Sequence, residues 1–132
     1  MSQKKRILIV SNGHGEDLIS HVIVKSLLKL QKEIEVSVYP LVGLGKVFKK
    51  LQAQNEIQIL DPRKNMPSGG FCMQSFYFFY QDIKEGLINL IFEQYNIIRK
   101  YGHKQNLLVA VGDTFPLILC WLSGKNFAYI QT

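Results

Sequence analysis

The stretch Arg6-Ile7-Leu8-Ile9-Val10-Ser11-Asn12-Gly13-His14-Gly15-Glu16-Asp17 constrains the fold more than any other. A continuous apolar run, Ile7 to Val10, stops at a Ser-Asn-Gly-His-Gly turn and gives way to a long helical pattern. Uninterrupted β-branched and leucine runs belong to parallel strands buried on both faces. A strand, a glycine turn and a helix in that order form the opening unit of an α/β sheet. Ligands bind in such sheets outside the carboxyl ends of the strands. Gly13 and Gly15 take two side chains away from the turn, while Asn12, His14, Glu16 and Asp17 surround the gap with hydrogen-bonding groups.

The rest of the chain repeats the alternation. Glu16 to about Leu30 is helical, with Leu18, Val22, Leu27 and Leu30 beside Ile19, Ile23 and Ser26 as its expected apolar face. Ile34 to Tyr39 is a second strand, closed by Pro40, and Leu44 to Gln52 a short basic helix. Ile57 to Leu60 is a third strand. An irregular loop, 61–70, carries Pro62, Pro67, Gly69 and Gly70, and such loops inside compact domains tend to be functional. An aromatic helix over roughly 74–101 follows. Leu107 to Val111 is a fourth strand ending at Gly112-Asp113-Thr114, Pro116 to Ser123 a helix, and Phe127 to Ile130 a fifth strand.

This order predicts right-handed crossovers and a doubly wound parallel sheet, Rossmann-like, over residues 1–132. With strand order 3-2-1-4-5, strands one and four are neighbours about 4.8 Å apart, and the His-Gly turn and Gly112-Asp113-Thr114 flank one crevice. Ile130-Gln131-Thr132 leaves a buried-type strand without a following helix. The expectation is a domain truncated after its fifth strand, the N-terminal part of something larger.

Composition removes several classes. With 47% hydrophobic and 20% charged residues among 132, the chain is an ordinary globular domain. A net charge of +6 suits an anionic partner, yet the lysines are scattered without the aromatic interleaving of a base-stacking surface, so nucleic acid is not expected. Cys72 and Cys120 form no CxxC motif or disulfide framework, which fits a reducing cytoplasm. No run approaches the ~18 apolar residues of a spanning helix, and Ile7 to Val10 is too short for a signal sequence.

The first turn is not a dinucleotide fingerprint. Leu18 occupies the third glycine position of G-x-G-x-x-G, and the second strand ends Tyr39-Pro40 with no acid for a ribose. Glu16 and Asp17 in the first helical turn complement the helix dipole and would repel a pyrophosphate. A polyhydroxylated neutral ligand suits the turn better. His14, between two glycines, is a candidate for proton transfer or a hydroxyl hydrogen bond. Asp113, at the end of the fourth strand, is a candidate general base. The alternative is structural: Asp113 or Thr114 as N-cap of the following helix, and Glu16 and Asp17 as its counterparts on the first. No cofactor or metal is expected.

Between 71 and 98 one stripe, Phe76, Phe79, Tyr80, Ile83, Leu87, Leu90 and Ile91, is spaced to face a core. Phe78, Ile88, Phe92 and Tyr95 lie outside it. A wider core or a partner domain accounts for them; the sharper expectation is peripheral membrane contact.

The runs Ile7 to Leu18, Pro67-Ser68-Gly69-Gly70-Phe71 and Val111-Gly112-Asp113 together resemble the N-terminal domain of lipid-A-disaccharide synthase-related proteins, of the two-domain GT-B glycosyltransferase class. The resemblance implies inverting transfer of a sugar from a UDP-sugar to a glycolipid or other glycosyl acceptor, with membrane association. It implies an acceptor-side domain here and a donor-binding C-terminal domain that these residues lack. It assigns Asp113 the role of base, with His14 as its polar partner. Asn12, Gly13, Gly15, Glu16, Asp17, Gly69, Gly70 and Thr114 would then contact substrate. The synthase proper carries a Ser-Gly-Glu-x-Ser-Gly-Asp turn where this chain has Ser-Asn-Gly-His-Gly-Glu-Asp, so its acceptor does not carry over. The competing expectation is a complete flavodoxin-like module that binds a small molecule or a protein without catalysis.

Overall fold

The computed structural model describes residues 3–61 and 86–132. Gly69, Gly70, the 62–85 segment and the part of the aromatic stripe before Leu87 lie outside the described residues. Five strands form one parallel sheet: β1 (Lys5–Ser11), β2 (Ile34–Pro40), β3 (Ile57–Ile59), β4 (Leu107–Gly112) and β5 (Phe127–Gln131). Their order is β3-β2-β1-β4-β5, the arrangement expected from the alternation of strands and helices. The chain winds outward from β1 to β3, then returns to place β4 on the other side of β1. Ser11 pairs with Pro40 on one flank and with Val111 on the other, so the switch point opens above Ser11.

Period-two alternation divides the sheet into two packed faces. Ile9, Val36, Val38, Val109 and Val111 meet helix α1 (His14–Leu30), a 3-10 turn (Lys46–Phe48) and helix α2 (Lys49–Ala53) through Val24, Phe48 and Leu51. Leu8, Val10, Tyr39, Leu108 and Ala110 meet helix α3 (Leu87–Gly102) and helix α4 (Thr114–Leu122) through Ile98, Leu119 and Cys120. Leu8, Ile9 and Val10 have no exposed surface. Full burial of such side chains is worth about 1.5–3 kcal/mol each, which makes β1 the anchor of both layers.

Helix α1 keeps Ile23 and Leu27 of its expected apolar face against the core but turns Leu18, Ile19, Val22 and Leu30 away from it. Its core-facing residues are Asp17, Ser20 and Val24, with Ile23, Leu27 and Leu28 packed beside them. Leu18, Val22 and Leu30 stand in solvent at 59%, 63% and 82% exposure. The reason is local: a bond from Ser11 to Asp17 points that carboxylate inward, and the rest of the helix follows at 100° per residue. Hydropathy alone reads Asp17 and Ser20 as outward residues.

The described part of α3 buries Leu90, Gln94 and Ile98, one stripe at four-residue spacing. Gln94 Nε2 donates to the Leu41 carbonyl at 2.6 Å, tying this helix to the chain just after β2. Ile88 and Phe92 are exposed, as the sequence stripe implies, whereas Tyr95 packs on the core rather than outside it. Among the described residues, no helix is long and apolar enough to cross a membrane.

The rotation of α1 sets opposite expectations for two of its residues. Val24→Ala should cost about 2 kcal/mol in urea unfolding, while Leu18→Ala should stay within about 0.5 kcal/mol. Equal losses at both positions would place the leucine stripe back in the core.

Candidate functional site

The site is assembled where β1 and β4 end. Gly13 is the N-cap of α1, with φ 142°, a left-handed conformation that favours glycine, and its carbonyl accepts from Asp17 N at 2.9 Å. Gly112 ends β4 at φ 137°. A Cβ on Gly112 would sit 3.3 Å from Glu16 Cγ and 3.4 Å from Asn12 Cβ, so the two turns touch there. Asn12 Nδ2 donates to Asp113 Oδ1 at 2.8 Å across 101 residues of sequence. Asp113 also caps α4, its Oδ1 accepting from Phe115 N at 2.9 Å. Both of these bonds fall on Oδ1, and among the described residues no hydrogen bond falls on Oδ2. Asp113 and Thr114 are exposed; Asn12 is buried.

Glu16 belongs to the same crevice. Its Oε1 accepts from the Thr132 hydroxyl at 3.0 Å, bridging the start of α1 to the end of β5. Tyr129 OH donates to the Gly112 carbonyl at 3.1 Å and holds the rim from the β5 side. Asn12, Glu16, Gly112, Asp113 and Thr132 therefore form one connected polar wall.

Asp17 and His14 fall on the other side of α1. Asp17 is 3% exposed, and its Oδ1 accepts from Ser11 Oγ at 2.5 Å. Burial pushes its carboxyl up to about 6, against the lowering effects of the Ser11 hydroxyl and of His14. His14 is exposed, and it lines a groove with Asp17, Leu18, Leu44, Gly45, Lys46 and Val47. That lining excludes Asp113. Among the described residues Asp113 has Asn12 as its side-chain partner, while His14 lines the groove beside Leu44 and Lys46.

Gly15 is exposed, and a Cβ there would meet nothing within 4 Å. Its space is open, and Gly13 differs from it in its left-handed backbone, φ 142°. The two carboxylates of the first turn both accept hydrogen bonds, Glu16 from Thr132 and Asp17 from Ser11.

Several participants escape a reading of the sequence. Thr132 and Lys46 reach the site through β5 pairing and the loop after β2, neither of which a local motif announces. Ser11 lies within the quoted turn, and its role follows from ending a central strand beside the first helical turn. Tyr39 is fully buried, and its hydroxyl has no hydrogen-bond partner among the described residues; burial, then Glu93 and Asp61, raise it above the usual phenol range. Burial pushes the Cys120 thiol up to about 12, which makes it an inert core residue. Among the described residues, no cluster of three His, Cys, Asp or Glu side chains is arranged to hold a metal ion.

A carboxyl that titrates higher when folded than its ordinary 3.8 binds its proton more tightly in the folded state. Folding is then most favoured where both states are protonated, and stability falls as pH rises from about 4 to about 6. Asp17→Asn should therefore gain about 2 kcal/mol over the wild type at pH 8 and nothing at pH 4, read from urea unfolding at both values. A loss at pH 8 would mean that the ionised Asp17 stabilises the fold.

No protein-family model matches the chain, and no curated protein matches it. Among solved structures, it is similar to the C-terminal domain of a hydrogenase from Pyrococcus furiosus, at 14% identity and a TM-score of 0.64, covering 98% of this chain and 94% of that one. At that identity the likeness concerns the fold: an α/β, Rossmann-like parallel sheet with helices on both faces.

Proposed function

We propose that this chain is the acceptor-binding side of an inverting, GT-B type sugar transferase, with Asp113 as general base. The observation that supports it is the bond from Asn12 to Asp113 at the switch point, which fixes an exposed carboxylate through one of its oxygens. In this reading an acceptor hydroxyl lies against Asp113 Oδ2, with Thr114 and Glu16 as further partners for sugar hydroxyls. Asp113 takes the hydroxyl proton as the acceptor oxygen bonds to the anomeric carbon of a UDP-sugar. The bond from that carbon to the diphosphate breaks on the opposite face, so UDP leaves with the electron pair and the configuration inverts. The donor nucleotide is held by a second domain, and a glycolipid acceptor or peripheral membrane contact through 71–98 belongs to the same proposal. His14 stands outside the Asp113 wall, so its part is to bind ligand rather than to share that proton.

The competing reading is a flavodoxin-like binding module in which Asp113 is only a helix cap, and its bond to Phe115 N favours that view. Two variants separate them. Asp113→Ser keeps a good N-cap but loses the base, and Asp113→Asn keeps the shape. Assayed together with the donor-binding domain on UDP-sugars and glycolipid acceptors, both variants should fold normally and lower kcat by about 10²–10⁴-fold, with KM within about threefold. Near-wild-type turnover in both would leave Asp113 as a cap.

A further inference from the structure

The groove on the His14 side of α1 is separate from the Asp113 crevice and is built from different chemistry. Its volume of about 490 Å³ falls within the range of small-ligand sites. The chain after β2 forms its far wall. Leu41 N donates to the Ser11 carbonyl at 2.8 Å, and Gly45, at φ 62°, lies so close to Pro40 that a Cβ would stand 2.7 Å from Pro40 Cγ. Those two constraints hold Leu44, Lys46 and Val47 opposite His14 and Leu18.

Leu18 and Leu44 are exposed at 59% and 37%, an apolar area facing the gap from both walls. Lys46 is exposed, with Lys49 and Lys50 on the next turn, and the stretch 44–53 contains no acidic residue. On the α1 wall Glu16 is turned away to Thr132, and Asp17 is a buried floor group bonded to Ser11. The mouth therefore presents one ammonium, one imidazole and two leucines above a floor that carries the Asp17 carboxyl.

We propose that this groove binds a small organic anion, a carboxylate or phosphate on a short apolar body. The anionic group meets Lys46 and His14, and the apolar body lies on Leu18, Leu44 and Val47. The proposal does not depend on glycosyl transfer, since it uses none of the Asp113 wall.

The test is an NMR titration of the full chain with hexanoate, hexanol, acetate and inorganic phosphate. Hexanoate should shift the amide signals of His14, Leu18 and residues 44–47, and bind about tenfold more tightly than any of the other three probes. Lys46→Gln, a change of an exposed side chain, should weaken hexanoate about fivefold or more, and Leu44→Ser should weaken it comparably. The proposal is overturned if hexanol binds as tightly as hexanoate, or if Lys46→Gln changes nothing. It is equally overturned if the shifts fall at Asn12 and residues 112–114, or if no probe binds at millimolar concentration.

Discussion

A side-chain bond joins the first and fourth turns at the switch point. Asn12 leaves the end of β1 and Asp113 leaves the end of β4, and the amide of one donates to the carboxylate of the other directly above the place where the strand order reverses. Gly112 lies tightly between the partners: a Cβ there would stand 3.4 Å from Asn12 Cβ and 3.3 Å from Glu16 Cγ. A partly buried bond to a charged acceptor is stronger than a neutral one, and leaving either partner unpaired costs its desolvation. The position of the exposed carboxylate, the start of α4 and the shape of the crevice all depend on that closure.

Around it, neighbouring acidic residues do unlike work. Glu16 spans the crevice to Thr132 at the surface, whereas Asp17, one residue later, is buried against Ser11 and carries a raised carboxyl. A buried carboxylate held at a cost to stability, at the carboxyl end of a central strand, is the kind of group found at functional sites. Together they divide the first turn into two faces, one closing on β4 and β5, the other opening toward the loop after β2. The lone turn motif of the sequence thereby borders both the Asn12–Asp113 contact and the His14 groove.

The sheet was legible in the chain because its signal is local. Ile7 to Val10 and Leu107 to Val111 are continuous apolar runs, and the strands between helices permit few topologies. Asp113 as a cap was legible for the same reason, with Pro116 in the first turn of its helix. The face of α1 was not, because it is decided by the Ser11 hydroxyl reaching Asp17, and a hydrophobic periodicity counts Leu18 and Val22 as core. Gln94 was hidden likewise: a polar side chain occupies the centre of the buried stripe of α3 because the Leu41 carbonyl needs a donor. The partner of Asp113, Asn12, and the groove that His14 shares with Lys46 depend on where loops return in space. Motif spacing carries no record of that.

The claim on which the site rests is that the first and fourth turns are energetically coupled through Asn12 and Asp113. A double-mutant cycle measures it directly, using urea unfolding of Asn12→Ala, Asp113→Ala and the double variant, because the cycle cancels the separate loss of the α4 cap. The account predicts a coupling of about 1–2 kcal/mol. Losses that add to within about 0.3 kcal/mol would show that the two turns are neighbours without interaction, and the crevice would lose the bond that defines it.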